Sequence, residues 1–270
     1  MSGLTFRLTS APNERLDLSH LTPHKLASMP LAEVLKLDVG STKSGLKIGD
    51  IFAVSGQPGD SVRIEGSTNR FDFVGADLKQ GSMIVEGDVG VGAGRSMRGG
   101  RLEIRGDAGA LLGSGLSGGE ILLKGSAGGQ VGGLTPGDKF GMTGGIIAIE
   151  GDAGDRVGER VRRGTIYIRG KCGDYAGARM VGGTIWTELG FGTEPGMLMR
   201  RGTLIAPSVD RMLPSFADAG RHDLVVLHIL SRYMASVLGP LAPRALPGTV
   251  RKYAGDLATI GKGEILLTAP

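Results

Sequence analysis

Between residues 60 and 207 the chain runs in short bursts of alternating apolar and polar residues, and the bursts recur. Each unit is counted from positions 60, 81, 100, 119, 145, 164, 183 and 202. The second residue on is then Val62, Met83, Leu102, Ile121, Ile147, Ile166, Ile185 and Leu204. The fourth is Ile64, Val85, Ile104, Leu123, Ile149, Ile168, Thr187 and Ala206. Alternation at a period of two puts both columns on one face of a short strand. Three residues before the count stand Met97, Leu116, Met142, Val161, Met180 and Met199. Eight residues after it stand Val89, Ala108, Ala127, Ala153, Cys172 and Phe191, small or apolar throughout. Four columns of this kind predict ladders of side chains inside a stack of coils.

Glycine punctuates every unit. Gly87, Gly90 and Gly94 recur as Gly106, Gly109 and Gly113, as Gly151, Gly154 and Gly158, and as Gly170, Gly173 and Gly177. The leading glycines at 81, 100, 119, 145, 164, 183 and 202 are separated by 19 residues, with one step of 26. The long step holds Leu134, Thr135, Pro136, Gly137, Asp138, Lys139 and Phe140. A fixed period of this size marks a solenoid. Nineteen residues are too few for a strand plus a full helix, so the pattern predicts an all-β solenoid. The expected form is a right-handed parallel β-helix of about 19-residue coils with glycines at the corners.

Outside the lattice the periodicity changes. Alternation over 4–8 predicts a strand, with Arg15, Leu16, Asp17 and Leu18 as its pairing partner. Helical spacing over 23–37 is interrupted by Pro30. Residues 1–58 are therefore expected to form a small α/β cap, 59–207 the β-helix, and 208–270 a helical tail. The tail holds an amphipathic helix over 223–238, stopped by Gly239 and Pro240, a short helix over 250–257 and a strand over 265–267.

Composition changes this picture little. The 49 glycines are periodic and interleaved with Ile, Leu and Val, which argues against disorder. A formal charge of +4 favours acidic partners mildly and gives no reason to expect nucleic acid. No apolar run approaches the length of a membrane span, and the N-terminus lacks the apolar segment of a signal peptide, so a cytoplasmic protein is expected. The single cysteine, Cys172, lies in the small inward column and reads as a buried structural thiol.

Candidate chemistry is sparse. Asp88, Asp107, Ser126, Asp152 and Lys171 share a column; Gly-Asp turn chemistry explains it better than calcium ligation. Glu65, Glu86, Arg105, Lys124, Glu150, Arg169 and Glu188 share another, where neighbours on successive coils are expected to pair. The four histidines, His20, His24, His222 and His228, have no zinc-binding spacing. A catalytic carboxylate pair would need sugar-stacking aromatics, and aromatics are 4% of the chain. Two surface features stand out. Tyr167, Trp186 and Ile205 fall on consecutive units in an outward column, an apolar stripe expected to be covered by another protein chain or by the tail; it is the predicted partner interface. Arg160 and Arg179 share a register on consecutive coils, with Arg162, Arg163, Arg200, Arg201, Arg95 and Arg98 nearby. They are the candidate anion-binding residues.

The repeated Gly-Asp-Ala-Gly at 106–109 and 151–154, with a further glycine four residues on, resembles the glycine-rich β-helix domain of the glutamate synthase large subunit. It is more similar still to the C subunits of formylmethanofuran dehydrogenases and of the formyltransferase/hydrolase complexes of methylotrophic bacteria. The stretches Leu16-Asp17-Leu18-Ser19-His20-Leu21-Thr22-Pro23 and Gly49-Asp50-Ile51-Phe52-Ala53-Val54-Ser55-Gly56 lie outside the repeat and carry the more specific part of the likeness. The resemblance implies a non-catalytic scaffold component in one-carbon metabolism, binding no cofactor or metal alone. It implies three partners: an amidohydrolase-type A subunit with zinc, a B subunit, and a formyltransferase D subunit working with tetrahydromethanopterin. It also implies a methanofuran-type cofactor in the complex, toward whose acidic tail Arg160 and Arg179 could point. A molybdenum or tungsten dehydrogenase and a glutamate-synthase-type structural domain remain the alternatives.

Overall fold

The computed structural model describes residues 3–41, 43–135 and 137–268, so Pro136 of the long step lies outside the described residues. Its frame is a run of short strands: β1 (Gly3–Leu8), β2 (Leu16–Asp17), β3 (Phe52–Gly56), β4 (Ser61–Ser67), β5 (Phe71–Asp72), β6 (Ser82–Gly87), β7 (Arg101–Ile104), β8 (Glu120–Leu123) and β9 (Ile146–Ile149). It continues with β10 (Thr165–Ile168), β11 (Thr184–Thr187), β12 (Phe191–Thr193), β13 (Arg201–Ala206), β14 (Val209–Arg211), β15 (Ala217–Asp223), β16 (Thr249–Gly255) and β17 (Lys262–Leu267). Helices are few: single turns α1 (Pro23–Leu26), α2 (Leu31–Val34) and α3 (Ile48–Ile51), and one of 14 residues, α4 (Val225–Leu238). None among the described residues is long and apolar enough to cross a membrane.

Among the described residues one open sheet runs β15-β16-β17-β13-β11-β10-β9-β8-β7-β6-β4-β1-β3. From β1 to β17 through β13 it is parallel, and the repeat sets the register. Met83 sits beside Leu102, Leu102 beside Ile121, Ile121 beside Ile147, and Ile166 beside Ile185. Because the side-chain period is two, this register keeps both apolar columns on the same face along the sheet. Opposite it, single parallel bridges join Val89, Ala108, Ala127, Ala153, Cys172 and Phe191 in order. The core lies between the two ladders. Met97, Leu116, Met142, Val161, Met180 and Met199 join the same buried cluster, all at 0% exposure. Each buried Leu or Ile contributes about 1.5–3 kcal/mol, so a regular column adds stability coil by coil.

Glycine serves this stacking in two ways. Gly113 has φ 62°, and a Cβ there would lie 2.5 Å from Ile147 Cδ1. Gly106 needs no unusual φ, but its Cβ would meet the backbone of Gly87, 2.5 Å away. Such approaches make any side chain costly, most of all at Gly106, where the near atoms include backbone. The aspartate column carries a further ladder. Asp88 accepts the Asp107 N–H at 2.8 Å, Asp107 that of Ser126 at 2.7 Å, and Asp152 that of Lys171 at 2.7 Å. These carboxylates bond the next coil's backbone, where turn chemistry predicts bonds within their own coil.

The ends of the stack depart from the expected elements. β1 adds in parallel to β4, and β3 closes that edge antiparallel. The 15–18 segment does not pair with β1: β2 lies beside β5. Residues 23–37 form two single turns divided by Pro30, since proline lacks the N–H a continuous helix needs. At the far end β17 continues the parallel register, with Leu204 beside Ile265, and β16 and β15 turn back antiparallel. The 250–257 segment is thus mostly strand, not the short helix expected there. Its Val250 is buried and packs with the α4 face, and its backbone pairs on both sides.

Candidate functional site

Two of the concave surfaces are lined largely by charged side chains. The first, of about 570 Å³, is lined by Glu150, Asp152, Arg169, Glu188 and Arg244 among others. Its charges are met internally. Glu150 pairs with Arg169 at 2.8 Å and with Lys124 at 3.3 Å. Glu188 accepts the Tyr167 hydroxyl and the Arg244 N–H, each at 2.8 Å. With Arg105 on Glu86 at 2.8 Å, the alternating charge column is satisfied from coil to coil.

The second surface, of about 600 Å³, is cationic. Lys139, Arg160, Arg179 and Arg200 line it with Phe140, Val181, Leu198, Thr259 and Ile260. Three parts of the chain build it. The 26-residue step supplies Lys139 and Phe140, the coil corners supply Arg160, Arg179, Leu198 and Arg200, and the turn between β16 and β17 supplies Thr259 and Ile260. Backbone bonds fix the corner: Arg160 N–H reaches Ala178 at 3.0 Å, and Arg179 N–H reaches Met197 at 2.8 Å. Repeat-equivalent residues on neighbouring coils stand about 4.8 Å apart in backbone, so Arg160 and Arg179 repel each other. Buried Glu159 accepts Arg179 at 3.0 Å and lies 3.8 Å from Arg156. Arg160, Arg200 and Lys139 have no carboxylate partner among the described residues. Phe140 lies under the Arg162 guanidinium, 5.1 Å from its ring centre.

The backbone at this corner is strained. Arg160, Arg179 and Leu198 have φ of 55°, 54° and 58°, in the register where an earlier coil has Gly115. A left-handed conformation costs an L-residue about 1–2 kcal/mol. Two arginines hold it here, and their guanidiniums line the groove.

The arginine cluster divides. Arg160, Arg179 and Arg200 meet in the groove. Arg95 lies elsewhere, 5.9 Å from the Phe73 ring centre in a small pocket with Asp17 and Asp77. Glu188 belongs to the first surface. Lys139, Phe140 and Ile260 were not identified from sequence, although the anomalous 26-residue step marked where the first two lie.

The apolar stripe needs a correction. Tyr167, Trp186 and Ile205 are 0, 2 and 0% exposed, and what covers them is this chain's own tail. Leu227, Met234 and Leu238 of α4 pack on them with Leu241, Leu246 and Val250. Tyr167 and Trp186 meet edge to face, ring centres 5.4 Å apart. An outward stripe on a sheet demands a cover, and the tail supplies it before any partner can. Cys172 is fully buried in its ladder, and burial pushes its thiol pKa up.

Fold and groove together define a class: a protein of stacked, mostly parallel strands whose built surface feature is a basic, partly apolar groove. No family model matches the chain. It is 47% identical over 265 residues to the C subunit of the formyltransferase/hydrolase complex Fhc of Methylorubrum extorquens, covering 98% of this chain and 99% of that protein. It is 30% identical over 99 residues to the C subunit of tungsten-containing formylmethanofuran dehydrogenase 2 of Methanothermobacter thermautotrophicus, about a third of either chain. Its structure superposes on a chain of the Methylorubrum extorquens formyltransferase/hydrolase complex, FhcABCD, crystallised with methylofuran. The TM-score is 0.94 at 42% identity, covering 98% of this chain and 100% of that one. The chain belongs to the family of formyltransferase/hydrolase complex C subunits.

Proposed function

We propose that this chain is the C subunit of a hetero-oligomeric formyltransferase/hydrolase complex, and that it acts there as a non-catalytic scaffold. The observation that carries the reading is likeness end to end: 47% identity over 98% of the chain, with the fold matched at a TM-score of 0.94. The complex moves formyl groups between tetrahydromethanopterin and a methanofuran-type cofactor and releases formate. The chemistry belongs to the partners, an amidohydrolase-type A subunit with zinc and a formyltransferase D subunit, with B alongside. We read 59–207 as a right-handed parallel β-helix, capped by 1–58 and by the tail 208–270, and place the complex in the cytoplasm.

The groove at Arg160 and Arg179 suits an anionic, extended ligand. It carries four cations and one paired carboxylate nearby, with Phe140, Leu198 and Ile260 for apolar contact. We assign it to the acidic part of the furan cofactor.

Native purification with mass spectrometry tests the reading. Co-purification with amidohydrolase- and formyltransferase-type chains is expected, and formate release should need them. Turnover by the pure chain would overturn the scaffold role. Molybdenum or tungsten in the complex would move it to the dehydrogenase branch, toward which the 99-residue similarity points.

A further inference from the structure

Helix α4 is apolar on both sides. Its inner face, Leu227, Met234 and Leu238, is at most 1% exposed. Its outer residues Val225, Val226, Ile229 and Tyr233 are 69, 61, 62 and 53% exposed. At about 100° per residue these four share one side, opposite the buried three. A surface helix of a globular protein normally turns polar residues outward. Among the described residues nine large hydrophobics are strongly exposed, and four of them lie on this one helix. The inner contacts alone dock the tail, so the outer face is not required by the fold of this chain. A contiguous apolar patch of this kind marks an interface.

Charge narrows the occupant. α4 contains no Asp or Glu, and its exposed basic side chains are His228 and Arg232. Arg221 and His222 stand exposed on the adjoining β15. Neither Arg221 nor Arg232 has an ion pair among the described residues. Of the acids close by, Asp218 is taken by Arg251, Glu264 pairs with Lys252 at 2.7 Å, and Asp223 sits at the end of β15. Two copies of this face would oppose arginine to arginine, which disfavours self-pairing. The pairing of β15 with β16 slips register between Asp218 and Arg221, and a bulged strand is a poor template for strand addition.

We propose that the outer face of α4 is the seat of another component of the same complex, one presenting an apolar groove bordered by Asp and Glu. The helix then works as a two-sided wedge. Leu227, Met234 and Leu238 hold it to the sheet, while Val225, Ile229 and Tyr233 enter the partner in the manner of a helix in a groove. The proposal rests on the hetero-oligomeric reading above.

The test co-expresses the full chain with the other subunits of the complex. It compares wild type with the double variant Ile229→Asp/Tyr233→Ser and with Arg232→Glu. Both altered sites of the double variant are exposed, so melting of the chain by itself should match wild type. Association should weaken at least about tenfold in the double variant, since an aromatic anchor at an interface is a typical hot spot. Arg232→Glu should weaken it at low salt, with the difference fading at high salt. Wild-type-like assembly of the double variant would overturn the proposal and leave the complex intact. So would a homodimer, or binding to phosphatidylserine vesicles, that the double variant abolishes. If wild type itself joins none of the other subunits, the hetero-oligomeric reading falls first, and this inference with it.

Discussion

The Tyr167 hydroxyl donates a 2.8 Å hydrogen bond to Glu188 Oε1, and the same oxygen accepts the Arg244 backbone N–H at 2.8 Å. A strand residue, the residue just after the next strand, and a tail residue thereby meet at one carboxylate. The Glu188 side chain is only 10% exposed, so the tail's position is tied to a satisfied polar group as well as to apolar contact. The tail is therefore part of the folded unit, and variants along the stripe report on its docking.

Trp186→Ala should cost about 3–5 kcal/mol, the usual range for a buried aromatic. Trp186 is 2% exposed and packs among Tyr167 and the tail residues, so the loss should appear in the chain by itself. A lower melting temperature and protease cuts between 225 and 250 are expected. A variant that melts like wild type and fails only to assemble would restore the stripe to a partner.

Stability should fall at alkaline pH. Burial, and then the hydrogen bond to Glu188, raises the Tyr167 pKa above its ordinary 10.0. Burial, and then Asp155, raises that of Cys172 above 9.0. Both groups hold their protons more tightly folded than unfolded. Their contribution is complete below the unfolded values and is lost as pH rises beyond them. The urea midpoint should stay level near pH 8 and drop above about pH 9. Cys172→Ala, which copies Ala153 of the preceding coil, should soften the first part of the drop, and iodoacetamide should not label native Cys172 at pH 8. An identical alkaline profile in wild type and variant would sink the assignment.

Two neighbouring glycines separate strain from space. Gly113 and Gly115 both have positive φ, 62° and 68°. A Cβ at Gly113 would be 2.5 Å from Ile147 Cδ1, whereas at Gly115 the nearest atom is 3.5 Å away. Gly115→Ala should cost only the conformational strain, about 1–2 kcal/mol. Gly113→Ala should add an overpacking cost of about 1–3 kcal/mol. Denaturant midpoints measure the difference, and equal losses would show that the core yields freely at Ile147.

The sequence carries the stacked core in plain view because each coil repeats one environment. A column of Val, Met, Leu and Ile says the same thing eight times, and random agreement is excluded. The ends are harder to read because each occurs once. Ala217–Asp223 is fully exposed and polar, without alternation, and becomes a strand only because Thr249–Gly255 pairs with it. Pro23 and Pro30 mark turns without saying which turns meet. The groove is a mixed case: Arg160 and Arg179 follow from the register, but Ile260 arrives from the tail by tertiary packing. The stripe at Tyr167, Trp186 and Ile205 announced a cover, while the choice between partner and tail lay in how α4 docks.

The groove yields the most direct test of cofactor contact. Arg160 and Arg179 face one cavity with Lys139 and Arg200, and of the two only Arg179 has a carboxylate, Glu159. Like charges at neighbouring coils are destabilising unless an anion joins them, and arginine forks bind carboxylates in bidentate fashion. The backbone at both residues is left-handed, a conformation glycine would adopt at less cost, so these side chains are held at the expense of local strain. Replacing both by Gln removes charge and keeps length. The complex should still assemble, because no residue of α4 or the stripe lines the groove. Retention of the furan cofactor should fall by about tenfold at low salt and less at high salt, where wild type also weakens. Arg160→Gly separates the two effects further: stability should hold within about 1 kcal/mol of wild type, because relieved strain offsets the greater freedom of the unfolded chain, while cofactor retention still drops. Quantifying the cofactor in purified complexes at two salt concentrations decides the matter. Equal content in all three proteins would remove Arg160 and Arg179 from cofactor binding and leave the groove to an acidic protein surface.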